Sequence, residues 1–498
     1  MAAMLFAGMD IGTSGCKMLV YDLDGRIVYQ SGRKYQEQGE GGHRELDPKL
    51  VLSQVKAVLK DVGENCPNGI AAMAVASLGE SVVCLDEDDQ VLIPSMLTGD
   101  CRGIPETREI IKHFGANKIF EITGLPPNEL YGLPKYMWLN RNTNAIRDAR
   151  TILYYEDFIG YMLTGQRKVS YSSAARSMAF DMKKLQWSEN LLSFAGIRVT
   201  QMSQPVAPCS VIGTILPDVA EELGLNRDLQ VVVGGHDQTC AALGSGMDAL
   251  QHGECGMGTC EFLFTMLPEA MMTPYMLNND FTCIPYVLPN TYLSSIEVPT
   301  CGALKNWARD VIFCDISKTC QREGKNFFQY MDERSQNIRT DVMVLPQFGS
   351  AGNPNLSMDA KGTMTGLTIH TRPEEIYRGI LEGMAFQMYL AYERMQRLGT
   401  DMNCITVTGG GAASELTLQI RADVFNMEVR ALESEQAGTL GCMLMAATAV
   451  DAYSSLEQGI QKAVKIKKKY MPQPDMVEYY KEKFIRYKRL YEAMYDFR

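Results

Sequence analysis

The run Val231-Val-Val-Gly-Gly-His-Asp-Gln-Thr-Cys-Ala-Ala-Leu-Gly-Ser-Gly246 narrows the possible folds more than any other stretch of the chain. Its β-branched triplet reads as a strand, two glycines end that strand, and the small residues from Thr239 onward read as a helix. Asp237 and Gln238 then stand at a strand's carboxyl end, where open α/β sheets bind their ligands. The glycines permit close backbone approach, the helix start favours nearby anions, and Asp237 could take a proton from a substrate hydroxyl. An aspartate that only caps a helix after a tight turn fits the same letters.

A chain of 498 residues is too long for one core, so two large domains with a cleft between them are expected. The division falls at roughly 1–246 and 247–450, followed by a C-terminal helical segment, 451–498, packing back on one of them. A formal net charge of −11 argues against a nucleic-acid partner. No apolar run approaches the roughly 18 residues of a spanning helix, and Met1–Met9 lacks the make-up of a signal peptide, so a cytoplasmic protein without a membrane partner is expected. The 14 cysteines are scattered, many of them in apolar settings such as Cys84, Cys240 and Cys442, which predicts buried reduced thiols. The five histidines show no ligand spacing, and neither C-x-x-C nor H-E-x-x-H occurs. The expected metal is the magnesium of a nucleotide, held largely through phosphates, carboxylates and water.

Residues 4–30 read as three strands, with Asp24-Gly25 closing a hairpin. Between the first two, Gly12-Thr-Ser-Gly15 offers backbone N–H groups and two hydroxyls, with Lys17 just beyond and Asp10 at the strand end. Such a turn can hold phosphate oxygens although no P-loop is present; a plain glycine-rich hairpin fits as well. Asp10 could hold magnesium directly or through water. The device recurs at Gly258-Thr-Cys260, which feeds the apolar Glu261–Phe264. Two such turns beside a central acid are more specific than either alone.

Other candidates lie between these landmarks. Asp47-Pro48 opens a helix over 49–62, with Asp47 as its cap. Glu80 is a carboxylate between two apolar runs, which must meet a cation or hydrogen-bond donors. Asp100 and Arg102 could pair with each other or bind a hydroxylated ligand. Residues 103–200 read as largely helical, with Tyr171–Ala175 as a close-packed turn. Cys404–Thr408 reads as a strand entering Gly409-Gly-Gly411, and these glycines let a flat ring lie against the backbone before the helix 415–425. Phe484, Tyr487, Tyr491 and Tyr495 form one face of a final helix, which reads as an internal packing surface.

This ordered set resembles the FGGY carbohydrate kinases, the family of xylulokinase and glycerol kinase. The resemblance implies duplicated α/β domains of the actin/hexokinase/Hsp70-like, ribonuclease H-like ATPase type flanking a central cleft. It makes Asp10-Ile-Gly-Thr-Ser-Gly the first phosphate motif, Gly234-Gly-His-Asp-Gln the catalytic motif, Gly258-Thr259 the second phosphate motif, and Gly409-Gly-Gly-Ala-Ala-Ser the adenosine motif. Carried over residue by residue, Asp237 is the base, and Glu80, Asp100 and Gln238 join it on the sugar side. Thr13, Ser14, Lys17, Gly258 and Thr259 take phosphates, Asp10 the magnesium, and Gly302, Asn306, Gly410, Gly411 and Ser414 the nucleotide. The implied activity is phosphorylation of a sugar or polyol, a pentulose such as xylulose foremost, by ATP and Mg2+; a homodimer is left open. Glu80 stands where glycerol kinase has a Glu and xylulokinase a His, while Gly79, Thr98 and Leu130 depart from the Arg, Trp and Tyr of glycerol kinase, so the polyol pocket departs from both models. A glycerol- or other alditol-type kinase of the same family is the alternative. Two rivals come from other classes. Gly244-Ser-Gly-Met-Asp-Ala249 fits a dinucleotide fingerprint, though a helix precedes it, and a non-catalytic sugar or nucleotide sensor would share the fold but need no base.

Overall fold

The computed structural model describes residues 4–357 and 359–494, and its plan is one sheet design used twice. The first sheet takes β1 (Phe6–Ile11), β2 (Gly15–Tyr21), β3 (Ile27–Lys34), β4 (Ala72–Ser77), β5 (Val211–Thr214) and β6 (Gln230–His236) in the order β5-β6-β4-β1-β2-β3. The central strands β1, β4 and β6 run parallel and are buried nearly throughout, which explains their continuous apolar composition. Edge strand β3 instead alternates between partly buried and exposed positions. Helix α1 (Pro48–Asn65) lies on this sheet and begins where the sequence predicts, with Asp47 Oδ1 accepting from the Lys49 amide at 2.9 Å. Helix α2 (Tyr155–Thr164) also packs here, and Tyr171–Ala175, expected as a turn, is a short helix, α3. Ser170 makes that difference by capping it through the Ser173 amide.

The second sheet takes β7 (His252–Met257), β8 (Glu261–Leu267), β9 (Ile284–Pro285), β10 (Tyr292–Val298), β11 (Cys404–Thr408), β12 (Glu428–Leu432) and β13 (Ile466–Tyr470) in the order β9-β10-β8-β7-β11-β12-β13. Strand for strand, β10-β8-β7-β11-β12-β13 repeats the directions of β3-β2-β1-β4-β6-β5. The segment 451–498, expected to be helical, therefore needs correcting, because β13 lies within it and completes the second sheet. Its Ile-Lys-Lys-Lys-Tyr sequence hid the strand, since an edge strand buries little and lysines blunt its open side.

The two halves meet through the helices that follow equivalent strands: α4 (Asp237–Gly244) after β6 and α8 (Ala437–Ala449) after β12. A Cβ at Gly244 would overlap the Ala437 carbonyl, and one at Gly441 would overlap that of Cys240, so only glycine allows this close crossing. Helix α8 also reaches the first sheet, where Thr439 Oγ1 pairs with Tyr21 Oη at 2.7 Å. Helices α5 (Gly302–Trp307), α6 (Pro373–Met395) and α7 (Glu415–Phe425) belong to the second half. The last helix, α9 (Pro474–Ala493), packs its predicted aromatic face on α6, with the Phe484 and Tyr487 rings 5.8 and 5.3 Å from that of Phe386. Tyr495, the last member of the predicted stripe, lies outside the described residues. No described helix is long and apolar enough to cross a membrane.

Candidate active site

Strand β6 delivers the central acid to its carboxyl end. Its pairing with β4 slips between Val232 and Gly235, a bulge of the kind that re-aims side chains beside functional sites. Asp237 is the first residue of α4 and not its N-cap, a position held by His236. Its Oδ1 accepts from the Gln238 amide at 2.6 Å and lies 3.2 Å from His236 Nε2. Burial, then the negative charges of Asp10 and Glu80, push the Asp237 pKa up to about 7, against the pull of the Gln238 amide and Arg176. A carboxylate with that pKa can accept and release a proton near neutrality. Burial, reinforced by Arg176, drives His236 down to about 3, so its ring is neutral beside the acid. The amide of His236 donates to Ser172 Oγ, which ties the strand end to α3. The side-chain amide of Gln238 has no partner among the described residues.

The two predicted turns flank this centre. In the first, the Gly12 amide donates to Gly15 O at 3.0 Å, while Tyr35 donates through its hydroxyl to Gly12 O and through its amide to Ser14 O. These bonds occupy the carbonyls of Gly12, Ser14 and Gly15 and leave the Thr13 and Ser14 hydroxyls without a partner among the described residues. Lys17, directly across the ladder from Asp10, places Nζ 3.3 Å from Asp10 Oδ2. In the second turn the Gly258 amide donates to Cys260 O at 2.9 Å, and Gly258 and Thr259 are exposed. Helix α5 docks on it through the amides of Gly302 and Ala303, which donate to Gly258 O and Thr259 O. Asn306, one turn further along α5, is exposed. Among the described residues no group of three or more His, Cys, Asp or Glu could hold a metal, so a magnesium at Asp10 would need phosphate oxygens and water to complete its shell.

A cavity of about 1070 Å³ opens beside the glycine triplet, lined by Lys305, Phe328, Asp332, Gly410, Ala413 and Ser414 among others. It is roomy enough for a nucleoside. Gly302, Asn306 and Gly411 are not on its walls, nor are Asp237 and Glu80. Ser414 caps α7, accepting from the Thr417 amide at 3.1 Å, and donates to Asp332 Oδ2 at 2.7 Å.

Glu80 lies at the strand end next to β6 and is buried. Arg176 Nε donates to its Oε1 at 2.7 Å, joined by Nη2, and Thr98 Oγ1 donates to Oε2 at 2.8 Å. Burial favours its neutral form, but Arg176, His236 and Lys135 outweigh that and hold its pKa near 2. Asp100 takes the first of the two options the sequence allows. Its oxygens accept from Arg102 Nε and Nη2 and from the amides of Arg44 and Arg102, four bonds that fill the capacity of a carboxylate. As a side chain it supports the Glu80 region and has no acceptor left for a ligand.

A model of the FGGY family of carbohydrate kinases, N-terminal domain, matches residues 5–244, and its C-terminal domain counterpart matches residues 253–450. The chain belongs to the FGGY family of carbohydrate kinases. As an FGGY kinase it is an ATP-dependent enzyme that phosphorylates an alcohol group of a small-molecule sugar, on the duplicated actin-like ATPase fold. It is 25% identical over 494 residues to a xylulose kinase of Staphylococcus xylosus, covering 97% of this chain and 99% of that one. A glycerol kinase of Thermococcus gammatolerans is 26% identical over 483 residues, 94% of this chain and 93% of the relative. The crystal structure of a gluconate kinase from Lactobacillus acidophilus superposes with a TM-score of 0.89 at 26% identity, covering 99% of this chain and 98% of that one.

The rival readings fall with this FGGY kinase assignment. Gly244-Ser-Gly246 ends helix α4, so the fingerprint lacks the strand-to-helix turn that dinucleotide binding requires. Three groups of the site region have no counterpart among the residues the sequence points to. Arg176 was one, although a lone charge among the small residues of Ser172–Ala179 was a signal. Glu261 and Arg421 were the others: Arg421 Nε and Nη2 donate to Glu261 at 2.8 and 2.5 Å, and the Cys255 and Cys301 thiols donate to the same carboxylate. This buried cluster ties the strand after the second turn to α7 and to the residue before Gly302.

Proposed function

We propose that this kinase phosphorylates a ketose, a pentulose such as xylulose foremost, with Asp237 as the general base and magnesium-bound ATP as the donor. The observation that carries the reading is the position of Asp237, at the end of β6 and the start of α4, where burial and the nearby Asp10 and Glu80 carboxylates raise its pKa to about 7. Asp237 takes the proton of the attacking hydroxyl, beside a His236 ring that burial keeps neutral. Thr13, Ser14 and Lys17 on one side and Gly258 and Thr259 on the other steady the phosphate oxygens, the electrostatic part of such chemistry. When bound through Asp10, magnesium would offset phosphate charge. Gly410 and Ser414 would hold the adenosine, a reading supported by their position on the wall of the large cavity.

The kinship with relatives named xylulose kinase supports a ketose, while glycerol and gluconate kinases are similar to nearly the same degree. A coupled ADP-release screen over ketoses, alditols and aldonates tests the assignment. The expected hit is a ketose whose turnover needs both ATP and magnesium; a glycerol or gluconate hit without ketose turnover would replace it.

A further inference from the structure

Position 79 carries no side chain, and two other residues occupy the space. A Cβ there would lie 2.5 Å from His236 Cδ2 and 2.7 Å from Arg176 Cγ. Arg176, which caps the C-terminus of α3, runs past Gly79 to Glu80 and donates to it through Nε and Nη2. The face of its guanidinium lies 5.0 Å from the Tyr131 ring. The remaining nitrogen, Nη1, makes no hydrogen bond among the described residues. The side chain is 12% exposed, and its charge is felt both by Asp237 and by Glu297 of β10 in the other sheet. The guanidinium thus stands between the halves with one end pinned and one end open.

We propose that Arg176 is a specificity-determining residue of the sugar site, its free Nη1 donating to an oxygen of an uncharged sugar while the Glu80 carboxylate it pins accepts from a neighbouring hydroxyl. The inference rests on the kinase reading given above. A donor beside an acceptor suits two adjacent sugar oxygens, each of which can complement one of them. The balance of charge favours a neutral ligand. Glu80 already compensates the guanidinium, Asp237 and Glu297 are further acids that sense its charge, and the further cation, Lys135, donates to Leu97 O at 3.0 Å. A sugar acid would add a carboxylate to that set. Gly79 has its own part, because any larger residue would displace Arg176.

Three variants test this. Arg176→Lys keeps the charge but offers one nitrogen where the fork offers three, Arg176→Met removes the donors at similar length, and Gly79→Ala keeps every donor while pushing Arg176 aside. Steady-state constants with D-xylulose, D-ribulose, gluconate and ATP would be measured on each, together with thermal midpoints and sugar affinity by calorimetry. All three should raise the KM and the dissociation constant of the preferred neutral sugar about ten- to hundred-fold, the range for a lost charged hydrogen bond, and leave the KM for ATP within about twofold. Folded variants with the parent's sugar affinity would reduce Arg176 to a structural partner of Glu80. A loss confined to gluconate would show that the guanidinium reads a carboxylate and overturn the neutral-sugar assignment. If the parent released no ADP with any sugar, the kinase reading would fail, and calorimetry with the same sugars and variants would still decide the role of Arg176.

Discussion

Replacing Asp237 with Asn separates chemistry from stability, because the two effects have opposite signs. Asn keeps the shape and loses the proton acceptor, so turnover should fall about a hundred- to ten-thousand-fold with nucleotide affinity unchanged. Stability should rise. Folding lifts the Asp237 pKa from 3.8 to about 7, so the native state favours the protonated form. That preference stabilises the fold at low pH and is lost as the pH climbs from about 4 through about 7; by pH 8 the ionised acid carries its full penalty. Three pKa units correspond to about 4 kcal/mol, but the side chain is 35% exposed to cleft water, and screening reduces the expected gain to about 1–2 kcal/mol. The assay is a series of thermal midpoints for parent and variant from pH 4 to 9, paired with sugar-dependent ADP release and nucleotide titration. The two midpoint curves should coincide near pH 4, diverge as the pH climbs towards about 7 and run parallel above it, with the variant higher. An aspartate acting only as a helix-start anion would give the reverse, a variant less stable at pH 8 with turnover per folded molecule nearly intact. A folded variant that turns over at close to the parent rate would refute the base assignment.

Glu254, buried with only Thr408 donating to it among the described residues, is pushed up to about 8, so its contribution to stability should be lost as the pH rises from about 4.5 to 8. Glu254→Gln should flatten that part of the midpoint curve, and an unchanged slope would show that the native acid is already ionised. Arg421→Met strands the Glu261 carboxylate and should cost about 3–5 kcal/mol in urea unfolding while raising the KM for ATP; adding Glu261→Leu should recover most of the stability. A single variant as stable as the parent would refute the ion pair. Phe484→Ala empties the contact between α9 and α6 and should cost about 3–5 kcal/mol in the same assay, whereas a loss below about 1 kcal/mol would mean that the last helix is only loosely held.

Much of the site's frame was legible because its signals are local. Each Gly-Thr turn needs only a strand, the turn itself and a second strand close together in the chain, and the hydrophobic pattern displays that directly. The same holds for β6 running into α4, where Val231–Val233, two glycines and a small-residue helix place Asp237 without reference to any distant partner. The glycine triplet and the cap of α1 are equally local.

The rest depended on residues far apart in the chain. Arg176 meets Glu80 across 96 positions, and Arg421 meets Glu261 across 160, so nothing in either neighbourhood names the other. Asp100 illustrates the same limit within three residues, since its sequence admits both a ligand contact and an ion pair, and only the convergence of the Arg44 and Arg102 amides fills its oxygens. Strand β13 was hidden because three lysines suit an exposed edge, and its strand character comes from the open hydrogen-bonding groups of β12. Which devices the chain carries follows from its amino acids alone, because turn chemistry and strand periodicity are properties of short stretches. Tertiary structure decided how those devices face one another, which carboxylates remain free and how far their pKa values move, because burial and the charges around a group are set by the packing of two sheets and the helices between them.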